Sequence, residues 1–376
     1  MKVLLIAHSC ISPFWGVPRA KALTAFPDIK LCVLTPSRWF EYGRWHKPRG
    51  VEESGFSYLS QHILFPKSGP AKWYLHIYPK LASLLSSFRP DIVDLWEEPW
   101  SMVAFQVACL LSLLRKQTKL LVETEQNIHR NLPPPFESIR KFVFHHSCGV
   151  VCRSRGAADV ARRCGYQGHM EIIPNGVDVQ LFHPDSQPSR KRCKSPDTFA
   201  IAYSGRLIQE KGVDDLIDSL KNLPVSVKCN IAGEGPSENE LRKHSVYEGL
   251  SDRVRFLGCM ERESLPGFYL DNDVLVLPSH STATWKEQFG RVLAEAQACG
   301  IPVVGSDSGA IPEVIGEAGL VYPEGNRRKL SEALQLLIDN EELRIRLGKV
   351  GRHQAETLYS WETVGRRYHS MYQALS

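Results

Sequence analysis

Two glutamates, Glu287 and Glu295, stand eight residues apart in Glu287-Gln288-Phe289-Gly290-Arg291-Val292-Leu293-Ala294-Glu295, directly behind the apolar run 273–279. An apolar run, a polar break and a helical stretch predict a strand–loop–helix unit. The first carboxylate then lies in the loop and the second about one and a half turns into a helix that begins near Phe289. The N-terminus of such a helix presents N–H groups without intrahelical partners and the positive end of its dipole, which suits a diphosphate. One carboxylate could then hold hydroxyls of a sugar while the other holds those of a ribose. A pair of glutamates at this spacing is weak evidence alone, and the surroundings carry the reading.

A second constellation lies upstream, in Tyr203-Ser204-Gly205-Arg206-Leu207-Ile208-Gln209-Glu210-Lys211-Gly212. A strand that ends at Gly205 lets backbone approach a ligand closely, and Arg206 and Lys211 then share one loop at the carboxyl end of a sheet. Two fixed cations there would stabilise a departing diphosphate more than the bound substrate. The plainer alternative is an exposed loop with ordinary surface charge. Ile231-Ala232-Gly233-Glu234-Gly235-Pro236 is another strand-to-helix turn.

The elements that must position these groups alternate regularly. Apolar runs at 3–7, 29–34, 92–95, 120–123, 149–152 and 171–173 predict strands, and helical stretches at 19–25, 74–87, 101–114 and 157–164 fall between them. Residues 183–196 then break the pattern with Pro, Ser and basic residues, as an interdomain linker would. It restarts with strands at 199–203, 225–232, 254–257, 274–277, 302–305 and 320–322, and helices at 213–220, 237–249, 291–299 and 327–339. This is the α/β signature of two Rossmann-like domains. We expect an N-terminal domain over 1–182, a linker over 183–197, a C-terminal domain over 198–358, and a last helix over 359–376 that returns to the first domain. A chain of 376 residues with 43% hydrophobic residues can build two such cores.

Charge and cysteine narrow the setting. Residues 1–180 carry 22 Lys and Arg against 14 Asp and Glu, and the remainder 24 against 27, so the basic surface belongs to the first half. No helix-turn-helix, zinc-finger or RNP-like pattern accompanies it, which argues against nucleic acid. An anionic membrane surface fits as well. None of the ten cysteines forms a Cys-x-x-Cys pair, and reduced structural thiols predict a cytoplasmic chain. Cys148 and Cys152, near His145 and His146, are read as core packing on one strand face rather than as a metal site. The first seven residues are too short for an export segment, and the run 103–114 is too short to span a bilayer.

Taken together the motifs resemble the retaining glycosyltransferases of family 4, which have the GT-B fold, two Rossmann-like domains facing across a cleft. The resemblance rests on Ser204-Gly205-Arg206-Leu207 with Glu210-Lys211-Gly212, then Ala232 to Pro236, Val254-Arg255-Phe256-Leu257-Gly258 and Leu275 to Ser279. The paired glutamates, Ala298-Cys299-Gly300-Ile301-Pro302-Val303-Val304, and Ile173-Pro174-Asn175-Gly176-Val177-Asp178 upstream complete it. It implies that Arg206 and Lys211 clamp the diphosphate and that Glu287 touches the donor sugar. Glu295 would hold the ribose, Gly205 the close approach, backbone around Gly258 to Met260 the base, and amides of Phe289, Gly290 and Arg291 the phosphates. No metal and no cofactor are implied, the nucleoside-diphosphate sugar being a co-substrate.

In the first half the match is looser. The family's glycine pair after the first strand is represented by Gly16 alone, and Gln126 stands where a histidine is common. Gln126 is neither acid nor base, though its amide could meet a sugar hydroxyl. Glu98, in Glu97-Glu98-Pro99-Trp100, and Asn175 complete the candidate acceptor residues. The implied reaction is front-face transfer from a UDP- or GDP-linked sugar to a glycan or lipid-linked acceptor, the leaving phosphate taking the acceptor's proton. Rival readings are a sugar-nucleotide epimerase of the same architecture and a non-catalytic sugar-nucleotide or glycan-binding protein. Trp39, Trp45 and cations of 38–49, with Lys72-Trp73-Tyr74, suit stacking on sugar rings or an anionic lipid surface at the inner face of the membrane, the plainer alternative being a packed loop whose tryptophans are buried.

Overall fold

Parallel strands covered on both faces read as unbroken apolar runs, and these runs form two parallel sheets in the computed structural model. It describes residues 1–14, 16–41, 44–48, 55–66, 70–114, 117–185 and 198–376. Most of the expected linker, 186–197, lies outside the described residues. The chain divides into two units, Met1–Pro174 with Trp361–Ser376, and Asn175–Ser360.

In the first unit the strands are β1 (Lys2–Ile6), β2 (Lys30–Pro36), β3 (Trp39–Glu41), β4 (Arg44–His46), β5 (Ser57–Gln61), β6 (Ile92–Leu95), β7 (Lys119–Thr124), β8 (Gly149–Cys152) and β9 (His169–Ile172). Seven form one sheet in the order β5-β2-β1-β6-β7-β8-β9. β3 and β4 pair antiparallel as a separate hairpin in the segment expected to be a basic aromatic loop. Strand order reverses at β1, whose neighbours are β2 and β6. Ligands of open α/β sheets bind at such a reversal, beyond the carboxyl ends of the strands.

The second unit repeats the plan with β10 (Ala200–Ser204), β11 (Lys228–Ala232), β12 (Val254–Gly258), β13 (Val274–Leu277), β14 (Val303–Ser306) and β15 (Gly319–Tyr322). Their order is β12-β11-β10-β13-β14-β15, with the reversal at β10 and β13. This unit begins at Asn175 rather than after 182 because Val177 and Phe182 are buried in its core, and Val177 N donates to Tyr359 O at 2.7 Å.

The helix Trp361–Leu375 belongs to the first unit. Val364, Tyr368, Met371 and Tyr372 pack with Val3, Leu5 and Leu23 there. Buried charge ties it down further. Arg19 reaches Asp94 and Glu123, Arg153 reaches Glu123, Tyr372 Oη donates to Asp94, and Arg153 donates to Tyr368 Oη at 2.7 Å. Such a network is costly to break at one member, because the rest stays buried without its counter-charge.

Two further expectations change. The helix expected over 74–87 is confined to Leu81–Phe88. Pro79 removes an N–H, and Tyr78 instead exchanges both backbone bonds with the Gln106 side chain, at 2.9 and 2.8 Å. Of the two cysteines expected to share a strand face, Cys152 is buried and Cys148 is exposed just ahead of the strand. Among the described residues no helix is long and apolar enough to cross a membrane.

Candidate functional site

At the reversal in the second unit, the loops after β10 and β13 carry the charged pair. Tyr203 Oη donates to Arg206 O at 2.8 Å and so fixes the turn after β10. A short 3-10 turn, Gln209–Lys211, follows and ends at Gly212 with φ of 60°. A Cβ there would sit 2.1 Å from Pro278 O, so only glycine lets this loop lie against the end of β13. Lys211 Nζ consequently donates to Glu287 Oε2 at 2.6 Å, and Ser279 Oγ donates to the same oxygen at 3.0 Å. The Trp285 ring lies 5.3 Å from Lys211 Nζ. Expected in separate roles, Lys211 and Glu287 are each other's partners. Arg206 is exposed on the same loop.

Glu287 leads into the helix Arg291–Ala298, which starts at Arg291 as the apolar period over 291–299 predicts, two residues beyond Phe289. Gly290 at φ of 81° precedes it and no side chain caps it, which leaves an N-terminus suited to an anion. Phe289 is buried edge-on against Tyr359, so backbone alone is its means of meeting a ligand. Arg291 is half-buried at the first helical position. Glu295 lies a little over one turn in. It is 4% exposed, its Oε2 accepts from Tyr269 Oη at 3.0 Å, and burial raises its pKa against the pull of Arg262 and Arg291. Gly205 N donates to Ala232 O at 3.0 Å, joining β10 to the neighbouring turn. Beyond it Gly233 N donates to Gly258 O at 2.7 Å, Cys259 N donates to Glu234 Oε1 at 3.2 Å, and Met260 is half-buried on the core.

The residues expected to meet an acceptor fare differently. Gly16 is buried at the start of a helix, where a Cβ would lie 2.6 Å from Cys10 N, so packing explains the glycine. Gln126 has committed its amide within the protein. Its Oε1 accepts from Trp100 Nε1 at 3.0 Å and its Nε2 donates to Ile128 O at 3.1 Å. Glu98 accepts from Thr124 Oγ1 at 2.7 Å and from Glu125 N at 2.8 Å, yet burial pushes its carboxyl up to about 7. Asn175 is buried in the second unit, not the first, because the segment after it packs there.

At the first unit's own reversal, sequence reasoning singled out the stretch Glu97-Glu98-Pro99-Trp100 but passed over His8 and His76. His8 follows β1 and Glu97 follows β6, the adjacent strand. His8 Nδ1 lies 2.6 Å from Glu97 Oε1, and His8 N donates to the same oxygen at 3.0 Å. His8 also stacks on Trp39 with centroids 4.5 Å apart. Burial alone would depress the imidazole, but the Glu97 carboxylate outweighs it and raises the His8 pKa. His76, buried below with Nδ1 on Trp73 O at 2.9 Å, is lowered by burial despite Glu97. The available signal was position: a histidine and a carboxylate each directly beyond an apolar strand. Trp39 is thus a core residue, whereas Trp45 is 46% exposed with Arg38 against its ring; Tyr42, Gly43 and Arg49 lie outside the described residues.

Among the described residues two groups of side chains have metal-like spacing, Asp214 with Asp215 and His280, and Asp218 with His244 and Glu248. Cations already engage both. Arg327 bridges Asp215 and Asp218 at 2.5 Å each, and Lys221 joins Asp218 and Glu248.

Residues 185–354 match the family Glycosyl transferases group 1, and residues 42–181 match Glycosyltransferase Family 4. A GDP-mannose-dependent monoacylated alpha-(1-6)-phosphatidylinositol monomannoside mannosyltransferase of Corynebacterium glutamicum is 34% identical over 215 residues, 54% of this chain and 56% of that protein. The chain therefore spans little more than half of that relative's length. A D-inositol 3-phosphate glycosyltransferase of Corynebacterium jeikeium is 26% identical over 345 residues, 86% of this chain and 74% of that protein. Among solved structures, sucrose-phosphate synthase from Thermosynechococcus elongatus superposes with a TM-score of 0.73 at 20% identity, covering 100% and 99% of the two chains. Anabaena HepE in complex with UDP gives 0.73 at 18%, covering 100% of both.

Proposed function

The chain belongs to the family 4 glycosyltransferases of the GT-B fold, and from that premise we propose that it moves a glycosyl group from a UDP- or GDP-linked sugar to a glycan or lipid-linked acceptor with retention of configuration. The observation that carries the reading is the Lys211–Glu287 contact at the reversal of the second sheet, beside a helix N-terminus that no side chain caps. In this reading the donor diphosphate takes over Lys211 and is met by Arg206 and the helix end. Glu287, released from Lys211, turns to the sugar hydroxyls. Glu295 holds the ribose through Oε1, since Tyr269 occupies Oε2.

As the bond from the anomeric carbon to the phosphate oxygen breaks, the acceptor oxygen bonds to that carbon on the same face, and its proton passes to the departing phosphate. Preorganised cations at the phosphate favour this charge-separated state over the ground state. No metal is needed where protein cations supply the charge, so turnover should survive EDTA. The GDP-mannose dependence of the Corynebacterium glutamicum relative supports a nucleotide-sugar donor.

The test is nucleotide release. A panel of nucleotide sugars is first screened by thermal shift, where a ligand at 100 times its Kd stabilises by about 2.7 kcal/mol. UDP or GDP should then appear only when an acceptor is supplied, with the anomeric configuration of product matching the donor. A changed sugar still joined to the nucleotide, formed without acceptor and without net nucleotide release, would indicate an epimerase. Binding without turnover would indicate a sugar-nucleotide-binding protein.

We place the enzyme in the cytoplasm at the inner face of the membrane, on the strength of the basic first half and the exposed Trp45. Each cation near an anionic surface contributes ~1 kcal/mol. Changing Arg38, Arg44, Lys47 and Arg49 together to Ser should abolish co-sedimentation with anionic vesicles at low salt. If the wild-type chain does not co-sediment, the membrane placement fails.

A further inference from the structure

Around His8 and Glu97 the first unit gathers aromatic rings that no step of the proposed transfer uses. Trp73 lies 6.3 Å from His8 and 5.3 Å from Trp100, centroid to centroid. Tyr74 stands 4.9 Å from Trp100, and Phe136 lies 5.0 Å from Tyr74. All four rings are half-buried, so each keeps part of its surface in solvent. They adjoin the carboxyl ends of β1, β6 and β7, because His8, Trp100 and the Gln126 that holds Trp100 all follow directly on those strands. Trp73 meets Tyr74 and Trp100 edge to face, and Gln126 holds Trp100, which together fix the shelf.

The polar groups beside the shelf point the same way. His8 spends Nδ1 on Glu97 and has no hydrogen bond at Nε2, and its side chain is 25% exposed. Beneath it Glu97 Oε2, His76 Nε2, Tyr78 Oη and Trp39 Nε1 are buried without hydrogen-bond partners. These four atoms mix donors and acceptors, as buried water beneath the shelf requires. Charge excludes the other obvious ligand. The carboxylates of Glu97, Glu98 and Glu125 surround this end of the sheet, while Arg19 and Arg153 are consumed by Asp94, Glu123 and Glu125. A phosphate-bearing acceptor would have to draw its cation out of one of these pairs, whereas a neutral sugar meets rings for its C–H face and hydrogen-bonding groups for its hydroxyls.

We propose that this is an acceptor subsite for a neutral saccharide, in which Trp73, Tyr74 and Trp100 stack on the sugar ring and His8, held by Glu97, hydrogen-bonds one hydroxyl through Nε2. The assignment rests on the transferase reading and names the class of its acceptor. It makes His8 an acceptor-binding residue.

The experiment is a glycan array probed with the full chain in the presence of UDP or GDP, alongside inositol phosphate as the anionic comparison. Nucleotide binding is measured in parallel by thermal shift. Wild type should bind neutral glycans. His8→Ala and Trp73→Ala should each weaken that binding about tenfold, the scale of one lost hydrogen bond or stacked ring, with nucleotide binding unchanged. His8→Gln and Trp73→Phe, which keep more of the packing, serve if the alanine variants melt early, and should give smaller losses in the same direction. Neutral-glycan binding that survives His8→Ala and Trp73→Ala, binding of inositol phosphate in preference to the array, or no glycan binding while nucleotide binds would each overturn the subsite. Absence of nucleotide binding in the wild type would instead strike the transferase reading.

Discussion

The two sheets reverse strand order in the same way, and the charged group each places at its reversal differs in how it is built. In the second unit the loop after β10 and the loop after β13 each arrive as a contiguous stretch, and Lys211 meets Glu287 across them. In the first unit His8, Trp39, Trp73 and the stretch that carries Glu97 and Trp100 come from separate segments spread over the first hundred residues. A site that holds an invariant chemical group such as a diphosphate can be written in short motifs, because one backbone geometry serves every donor. A site assembled by packing side chains from distant segments leaves no local pattern.

If this contrast is right, the first unit's group should be coupled to its core and the second's should not. Trp39 is 1% exposed between the rings of His8 and His76, so Trp39→Ala should cost about 3–5 kcal/mol of stability. Trp45→Ala on the same hairpin should stay within about 0.5 kcal/mol. Equal losses by denaturant titration would dissolve the distinction between the two tryptophans. In the second unit Lys211→Ala should leave folding nearly intact while turnover falls on the order of 10²–10³-fold, the scale for one preorganised donor. Near-wild-type turnover would remove Lys211 from the phosphate clamp.

The same contrast governs what could be read in advance. Strand positions in the second unit were legible because buried parallel strands are apolar throughout, and the helix Arg327–Asp339 shows its period without interruption. The helix Phe136–His146 was missed: it follows three prolines and buries only Ile139, Arg140, Val143 and Phe144 along one stripe. The strand Ser57–Gln61 escaped because it is a sheet edge of mostly polar, exposed residues. Gln126 was read as standing where the family commonly has a histidine, but a sequence cannot show that its amide is spent on Trp100 and Ile128. The pairing of Lys211 with Glu287 was equally hidden, since each was read as awaiting a ligand.

A smaller effect probes how the second unit brings its motifs together. Gly212 holds φ of 60° with Pro278 O at 2.1 Å from the Cβ it lacks. Gly212→Ala should therefore destabilise by about 1–3 kcal/mol and shift the Lys211 loop away from Glu287. Donor affinity should fall together with melting temperature. If stability drops while donor affinity holds, the glycine serves the fold and not the meeting of the two loops.

The smallest effect returns to the first unit, where Glu98 tests whether charge at this reversal is set by burial. Its carboxyl is pushed up to about 7 from a usual 4.5, chiefly by burial, although Thr124 and the Glu125 amide both donate to it. The folded protein therefore holds this proton more tightly than the unfolded chain does. The stability so gained is complete below 4.5 and is lost as pH rises through about 7. Glu98→Gln keeps an acceptor for the Glu125 amide and stays neutral throughout, so it should lose none of it. The melting temperature of the variant relative to wild type should rise between pH 4.5 and pH 7.5 and level off above. A difference that stays flat across that window would mean that Glu98 is ionised as ordinary glutamates are, and that solvent reaches this end of the sheet far more freely than its packing indicates.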